Sequence, residues 1–390
     1  MTITNSKAGR KPLGVYIHIP FCVRKCAYCD FLSHEIEDRQ THDAYVKSLV
    51  EEIQYRGQVY HNNYIVDTLF IGGGTPSLLD SGLIKKIIAA VRQSFDLQDD
   101  LEITIETNPG TLSEEKLRDY RETGINRISI GAQSFNDKML ESLGRIHCAG
   151  DILKTYQMVR KVGFSNVNLD LMFAIPEHTM QIWRDTVKKA LSLCPEHLSF
   201  YSLQLEENTP LFDQFQNETL HQIPDELDRE MYEYAVRLLQ DEKYIPYEIS
   251  SAAKSGCECK HNMKYWSMEA YLGVGLGAHS FVEGTRTSNN KDLKTYVCSR
   301  PEEMTDWVYM SSERDMISEF MFTGLRKRKG ISLIEFENRF KKSIQEVYRK
   351  EWPIIEANIS KGLLILDEKT LSLSLKGVSV SNAILSEFMI

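Results

Sequence analysis

Six apolar, β-branched runs recur through the first half of the chain, at residues 15–19, 68–71, 101–105, 127–130, 167–171 and 198–203. Stretches of helical period separate them, at 43–56, 81–94, 113–123, 150–162 and 180–193, with Thr123-Gly124 as one clear helix stop. Strands alternating with helices predict an α/β fold with a parallel sheet and helices outside it. Six units fall short of a closed eightfold barrel, so the expected architecture is an open, partial (β/α)6 barrel. In such folds the chemistry sits at the C-terminal ends of the strands.

Beyond residue 205 the rhythm loosens into an amphipathic helix at 225–240, a strand at 247–249 and a glycine-rich stretch at 273–277. Helical patterns return at 313–325, 333–340 and 344–358, followed by alternating runs at 363–366 and 371–375 across a turn. Three helices and a hairpin suggest a winged-helix-like module that packs on the barrel. The expected organisation is a tail at 1–12, a barrel core at 13–210, a barrel extension at 211–305 and a C-terminal helical, winged-helix-like domain at 306–390. A net charge of −9 argues against nucleic-acid or anionic-membrane binding. The basic run 326–329 is accordingly read as a solvated loop. The N-terminus lacks the apolar segment of a signal peptide, and no run is long enough to span a membrane. Eight cysteines in such a chain read as metal ligands or free thiols in a reducing cytoplasm.

The first strand breaks at Pro20 into a loop carrying Cys22, Cys26 and Cys29. Thiolates suit iron–sulfur clusters, and these short spacings let one loop hold three corners of a [4Fe–4S] cube with one iron left open. The alternative is a zinc site completed by His18 or His34. Gly72-Gly73-Gly74-Thr75-Pro76 follows the second strand, where glycine allows the backbone to approach a ligand closely. Glu106 ends the third strand, Gln133 follows the fourth, Asp170 lies near the end of the fifth, and Arg145 sits in a Gly-Arg-Ile-His sequence.

These segments, YIHIPFC, CAYCDF, FIGGGTPSLL, ETNPGT, RISIGAQSF, LGRIH, NLDLMFAIP and HNMKYW, resemble the radical S-adenosylmethionine (SAM) superfamily. Within it the chain is similar to the oxygen-independent coproporphyrinogen III oxidase group, and most similar to its HemW-type haem-chaperone branch. The resemblance covers residues 13–285 closely and the C-terminal module loosely. It implies that SAM chelates the open iron, and that an electron from the cluster cleaves it reductively. It also implies that Tyr16, Gly73 and Glu106 contact this SAM. Tyr28, Gly74, Thr75, Gln133, Arg145 and Asp170 match positions associated with a second SAM in the oxidase branch.

Two departures separate the chain from that oxidase. Phe31 stands where the oxidase branch has a fourth cysteine, and the first cluster cysteine is already residue 22, without a long preceding segment. His261-Asn-Met-Lys-Tyr265-Trp266 is associated with haem binding in the chaperone branch. Imidazole is a usual axial ligand, and aromatic rings offer flat partners to a porphyrin. The competing reading is a loop that locks the barrel shut. Cys257 and Cys259 are read as surface thiols, Cys194 as a core thiol, and His279 as within reach of the barrel mouth. With no Cys-x-x-Cys-His sequence, haem is expected to bind non-covalently.

The expected function is a cytoplasmic haem chaperone that binds a [4Fe–4S] cluster, SAM and haem, with no catalytic residue assigned beyond the cluster. Its expected partners are haemoprotein acceptors, including peripheral contact with a membrane haemoprotein, and an electron donor such as flavodoxin or ferredoxin. The alternatives are the oxidase, decarboxylating propionate side chains, and a radical enzyme acting on haem itself.

Overall fold

The computed structural model describes residues 9–36 and 38–390, so most of the expected N-terminal tail lies outside the described residues. The first half runs β1 (Lys11–Ile19), α1 (Arg39–Tyr60), β2 (Tyr64–Gly73), α2 (Ser81–Ser94), β3 (Leu97–Thr107), α3 (Glu114–Glu122), β4 (Arg127–Gln133), α4 (Ala149–Val162), β5 (Val167–Phe173), α5 (Met180–Ser192) and β6 (His197–Ser202). The six strands pair in parallel and in sequence order. Local chemistry sets the helix ends. Asp38 accepts from the Gln40 and Thr41 amides at the start of α1, Ser113 from Lys116 and Thr179 from Ile182. Gly163 closes α4 at φ +98°, in the left-handed region that glycine enters freely.

Side chains alternate along each strand, and the alternation sorts the barrel into two layers. Val15 and Ile17, Ile103 and Ile105, and Ile128 and Ile130 are buried in the apolar core shared with the helices. Their neighbours Tyr16 and His18, Glu106, Arg127 and Ser129 line the lumen, together with Asn168 and Asp170. The polar interior is thus written into every second residue of the strands.

After β6 come α6 (Asp225–Asp241), β7 (Ile245–Glu248), β8 (Ser251–Ala253), α7 (Lys260–Trp266), β9 (Tyr271–Val274), β10 (His279–Val282), β11 (Thr285–Asn289) and β12 (Thr305–Met310). The large sheet has twelve strands in the order β12-β11-β10-β9-β1-β2-β3-β4-β5-β6-β8-β7. β9 adds a further parallel strand outside β1, with Gly273 opposite Tyr16. The glycine-rich stretch at 273–277 therefore begins as strand. A Cβ at Gly273 would come within 2.2 Å of the His279 carbonyl oxygen, so glycine is needed there for close backbone approach. β12 pairs residues 305–310 with β11 in the large sheet, and β1 opens at Lys11.

The C-terminal unit contains α8 (Glu313–Gly324), β13 (Ile331–Ser332), α9 (Leu333–Phe340), α10 (Trp352–Ser360), β14 (Leu364–Leu366) and β15 (Thr370–Leu373). Its strands form a small sheet in the order β13-β15-β14. The single helix expected at 344–358 is split into Ile344–Val347 and α10, because Pro353 belongs in a first helical turn. The basic run is a seam and not a solvated loop. Arg326 lies 4.5 Å over the Trp266 ring, Lys327 Nζ donates to Ser267 Oγ at 3.3 Å, and the Arg328 amide donates to the Tyr247 carbonyl at 2.9 Å.

Candidate functional site

Past Pro20 the chain makes one short parallel pairing, Phe21–Cys22 with His34–Glu35, which closes the neck of the cysteine loop. The loop is anchored from outside as well: the Ala27 amide donates to Leu143, and the Leu211 amide donates to Ala27. Cys22, Cys26 and Cys29 are free thiols lining one cavity of about 390 Å³. Burial pushes the Cys22 thiol above its usual range and the Cys29 thiol up to about 11. His18 is no spare zinc ligand, since its Nδ1 hydrogen-bonds Tyr16 at 2.9 Å and its Nε2 the Leu32 carbonyl at 2.8 Å.

The glycine loop is moulded around these groups. The Gly74 amide donates to Ile19 and the Thr75 amide to Phe21, both at 2.8 Å, carrying the β1–β2 pairing past the proline. Gly73 has φ +115°, and a Cβ there would lie 2.6 Å from the His18 ring. Its amide donates to Glu106 Oε2 at 3.0 Å.

A continuous polar chain then joins two of the cysteines. Thr75 Oγ1 donates to Cys22 Sγ at 3.6 Å, and Asn108 Nδ2 donates to Thr75 Oγ1 at 2.9 Å. Arg145 donates to Asn108 Oδ1 at 2.6 Å, to the Gly131 carbonyl at 2.8 Å and to Cys26 Sγ at 3.4 Å. A guanidinium beside one thiol and a hydroxyl beside another both favour thiolate.

Tyr28, Gly74, Thr75, Gln133, Arg145 and Asp170 all line this outer cavity. Gly73 and Glu106 border both it and a deeper one of about 670 Å³, whereas Tyr16 lines only the deeper one. Burial, with Asp170 nearby, raises the Glu106 carboxyl to about 7. Asp170 is held by Ser129 Oγ at 2.9 Å and Asn168 Nδ2 at 2.8 Å, and burial lifts its pKa too. Two residues not singled out from sequence belong here. Asn108 bridges Thr75 to Arg145, and the Tyr201 hydroxyl donates to Gln133 Oε1 at 2.9 Å. Asn108 sits in the ETNPGT segment right after a strand end. Tyr201 alternates with Ser199 along β6, so both positions carried a signal.

The HNMKYW segment is helix α7, not a loop. Glu102 secures its start by accepting from the Lys260 amide at 3.1 Å and the His261 amide at 3.2 Å. His261 is 1% exposed and lines the deeper cavity. Its Nδ1 hydrogen-bonds Thr68 and its Nε2 Tyr265, each at 2.8 Å, and it stacks on Phe70 at 5.3 Å. Burial drives its pKa down to about 3, so the ring is neutral. Tyr265 shares that cavity, but Trp266 is not among the lining residues and faces Arg326 instead. Trp266→Ala is expected to cost about 2 kcal/mol of stability in urea unfolding, through lost stacking and packing, with ligand binding in the lumen unchanged.

Two thiol assignments are reversed. Cys259 is fully buried with its Sγ 3.7 Å from Glu102 Oε1, whereas Cys194 is exposed just past α5 with φ +54°. His279 lines the deeper cavity from an exposed position on β10.

A parallel half-barrel with three free thiols on the loop after its first strand is the arrangement of a radical SAM protein. The sequence profile of the Radical SAM superfamily matches residues 16–190, and that of the HemN C-terminal domain matches residues 311–380. The heme chaperone HemW of Lactococcus lactis is 34% identical, with the alignment covering 98% of each chain. The heme chaperone HemW of Bacillus subtilis is 36% identical, covering 96% of this chain and 98% of its own. The chain belongs to the HemW family of radical SAM proteins. Among solved structures, the coproporphyrinogen III oxidase HemN of Escherichia coli superposes with a TM-score of 0.84 at 23% identity, covering 99% of this chain and 92% of that one, a likeness of fold.

Membership implies a [4Fe–4S] cluster and SAM. The residues present fit the cluster: three free thiols face one cavity, with donors from Thr75 and Arg145 on two of the sulfurs. No helix among the described residues is long and apolar enough to cross a membrane.

Proposed function

We propose that this chain binds haem and hands it to haemoproteins, with a [4Fe–4S] cluster and SAM held at the barrel mouth. What carries this reading is identity of 34–36% to two heme chaperones over nearly the whole length of each chain. Phe31 supports it against the oxidase. It is 61% exposed on the rim of the outer cavity, and a phenyl ring neither ligates metal nor carries redox chemistry.

In this proposal Cys22, Cys26 and Cys29 hold the cluster, whose chemistry is to supply one electron to the SAM sulfonium. Arg145 steadies Cys26 directly and Cys22 through Asn108 and Thr75, and Glu106 with Gly73 receives the polar end of SAM beside Tyr16. Tyr28, Gly74, Thr75, Gln133, Arg145 and Asp170 form the outer wall, matching the oxidase's second SAM position. The cluster gates haem transfer, and sustained radical turnover is not required. The reductant is flavodoxin or ferredoxin, the setting is cytoplasmic, and acceptors include haemoproteins reached at a membrane surface.

His261 is the proposed axial ligand. A neutral imidazole is the form that binds iron, and ligation through Nε2 requires the Tyr265 hydroxyl to turn away. Tyr265 then offers its ring as an apolar neighbour.

The deciding experiment gives anaerobically reconstituted protein either haem, or coproporphyrinogen III with SAM and a reductant. Stoichiometric haem uptake without decarboxylation is expected, and efficient decarboxylation overturns the reading. His261→Ala is expected to lose or visibly shift the Soret band while keeping its iron and sulfide. An unchanged spectrum would make α7 purely structural.

A further inference from the structure

The deep end of the lumen closes on a buried arginine whose charge Glu102 and Asp170 favour through space but to which neither is hydrogen-bonded. Arg127 opens β4, is 2% exposed, and lines the same cavity as His261 and Asn262. Among the described residues it makes no ion pair, and its buried Nε has no hydrogen-bond partner. Arg145, also inside the barrel, by contrast donates from both terminal nitrogens, to Cys26, Asn108 and Gly131.

The acidic groups around Arg127 favour its charge through space, but their oxygens bond elsewhere. Glu102 accepts from the Lys260 and His261 amides and meets the Cys259 thiol. Asp170 accepts from Ser129 and Asn168. The Tyr247 hydroxyl bonds His197 at 2.7 Å, and His197 bonds Asn168 at 2.6 Å, so neither turns to the guanidinium. These neighbours offset the burial of the charge, yet the Arg127 Nε–H is left buried without an acceptor, and a buried donor without a partner is costly until a ligand oxygen meets it. Structural buried arginines normally satisfy their fork from carbonyls or carboxylates of the fold, as Arg145 does.

We infer that Arg127 is the floor of an anion subsite that takes a carboxylate arm of the ligand occupying the lumen. The inference rests on the haem reading above, in which that arm is a porphyrin propionate. The chemistry favours a carboxylate over a phosphate. A guanidinium fork matches a planar carboxylate in two parallel hydrogen bonds. Glu106 and Asp170 also line this lumen, and they would repel a dianion more strongly than a monoanion. His261 and Arg127 border one cavity, so a ligand held through its metal has a cation at hand for its acid arm.

The test compares haem with haem dimethyl ester, whose propionates carry no charge, by absorbance titration of the cluster-loaded full chain. The wild type is expected to bind the ester about tenfold or more weakly than haem, the range for a charge-assisted contact. Arg127→Gln is expected to lose about the same factor for haem and nothing further for the ester, with Arg127→Lys recovering part of it. Equal affinity of haem and ester for the wild type overturns the subsite, as does equal loss of both ligands in Arg127→Gln, which marks a structural arginine. If Arg127→Gln fails to fold, the wild-type comparison and Arg127→Lys still decide.

A second arm does not depend on haem. Sodium propionate is expected to raise the melting temperature of the wild type by about 2 °C over sodium chloride at equal ionic strength, and to leave Arg127→Lys nearly unmoved. If the wild type takes up neither porphyrin, the haem reading fails on its own account. A propionate shift then upholds the subsite, and its absence overturns it.

Discussion

Replacing Cys22, Cys26 or Cys29 by alanine is expected to leave the reconstituted protein without its cluster, whereas Cys148→Ala, Cys194→Ala and Cys298→Ala keep it. The wild type is expected to carry about four irons and four sulfides with a broad thiolate-to-iron absorption band. The all-or-none outcome follows from geometry. The three thiols share one loop whose neck is closed by the Phe21–Cys22 pairing and whose far side is pinned to Leu143 and Leu211. No neighbouring cysteine can substitute. Cys148, Cys194 and Cys298 lie exposed on the outer shell, and Cys259 is bonded to Glu102 against helix α7. Cys259→Ala therefore also retains iron. Chemical iron and sulfide analysis beside the visible spectrum checks each variant, and full iron content in Cys26→Ala would remove that residue from the ligand set. Asn108→Ala tests the support in a graded way: it cuts the link from Thr75 to Arg145 and is expected to lower loading without abolishing it.

The barrel was legible because its strands carry two signals at once. β-Branched runs mark where they lie, and alternation marks which side chains face inward. RISIGAQ shows both: Ile128 and Ile130 pack against helices, while Arg127, Ser129 and Gln133 line the two cavities. The cysteine loop and the glycine loop stood out because few chemistries need those residues at those spacings. What failed to show was whatever depends on distant pairing. β9 is a four-residue strand whose identity comes from lying beside β1, and its one glycine, Gly273, looks like loop until His279 is seen crossing over it. Cysteine burial is likewise tertiary. Nothing local distinguishes Cys259, sealed by Glu102 from β3, from Cys194, left exposed at a helix end. Trp266 belonged to an attractive aromatic motif, yet its partner is a lysine- and arginine-rich segment sixty residues downstream that read as solvent-facing. Arg127 was visible as a letter in a strand but not as a buried arginine with an unbonded Nε, since that requires knowing what its neighbours already hold.

Glu106→Ala is expected to weaken SAM binding by about 30-fold or more with iron content intact, because truncating one partner of a buried charge-assisted contact costs about 2–5 kcal/mol. The wild type is expected to show a pH dependence that identifies the group. With its carboxyl raised to about 7 by burial and by Asp170, Glu106 is largely protonated at pH 6 in the unloaded protein. A cationic ligand needs the carboxylate, so its binding releases that proton, and affinity is expected to fall about tenfold from pH 8 to pH 6. In the unloaded protein the folded state holds this proton more tightly than the unfolded chain. Glu106 therefore becomes an increasing burden on stability as pH rises from its usual value of 4.5 to about 7. Glu106→Gln is expected to relieve that burden, lose most of the SAM affinity and flatten the pH profile. Its amide keeps an acceptor for the Gly73 N–H, so the glycine loop stays in place and the lost affinity reports charge. Calorimetric titration with SAM at several pH values, in buffers of different ionisation enthalpy, counts the released proton directly. A profile that persists in Glu106→Gln would assign the titration to the amino group of SAM itself, and normal affinity in Glu106→Ala would place the SAM site elsewhere in the barrel.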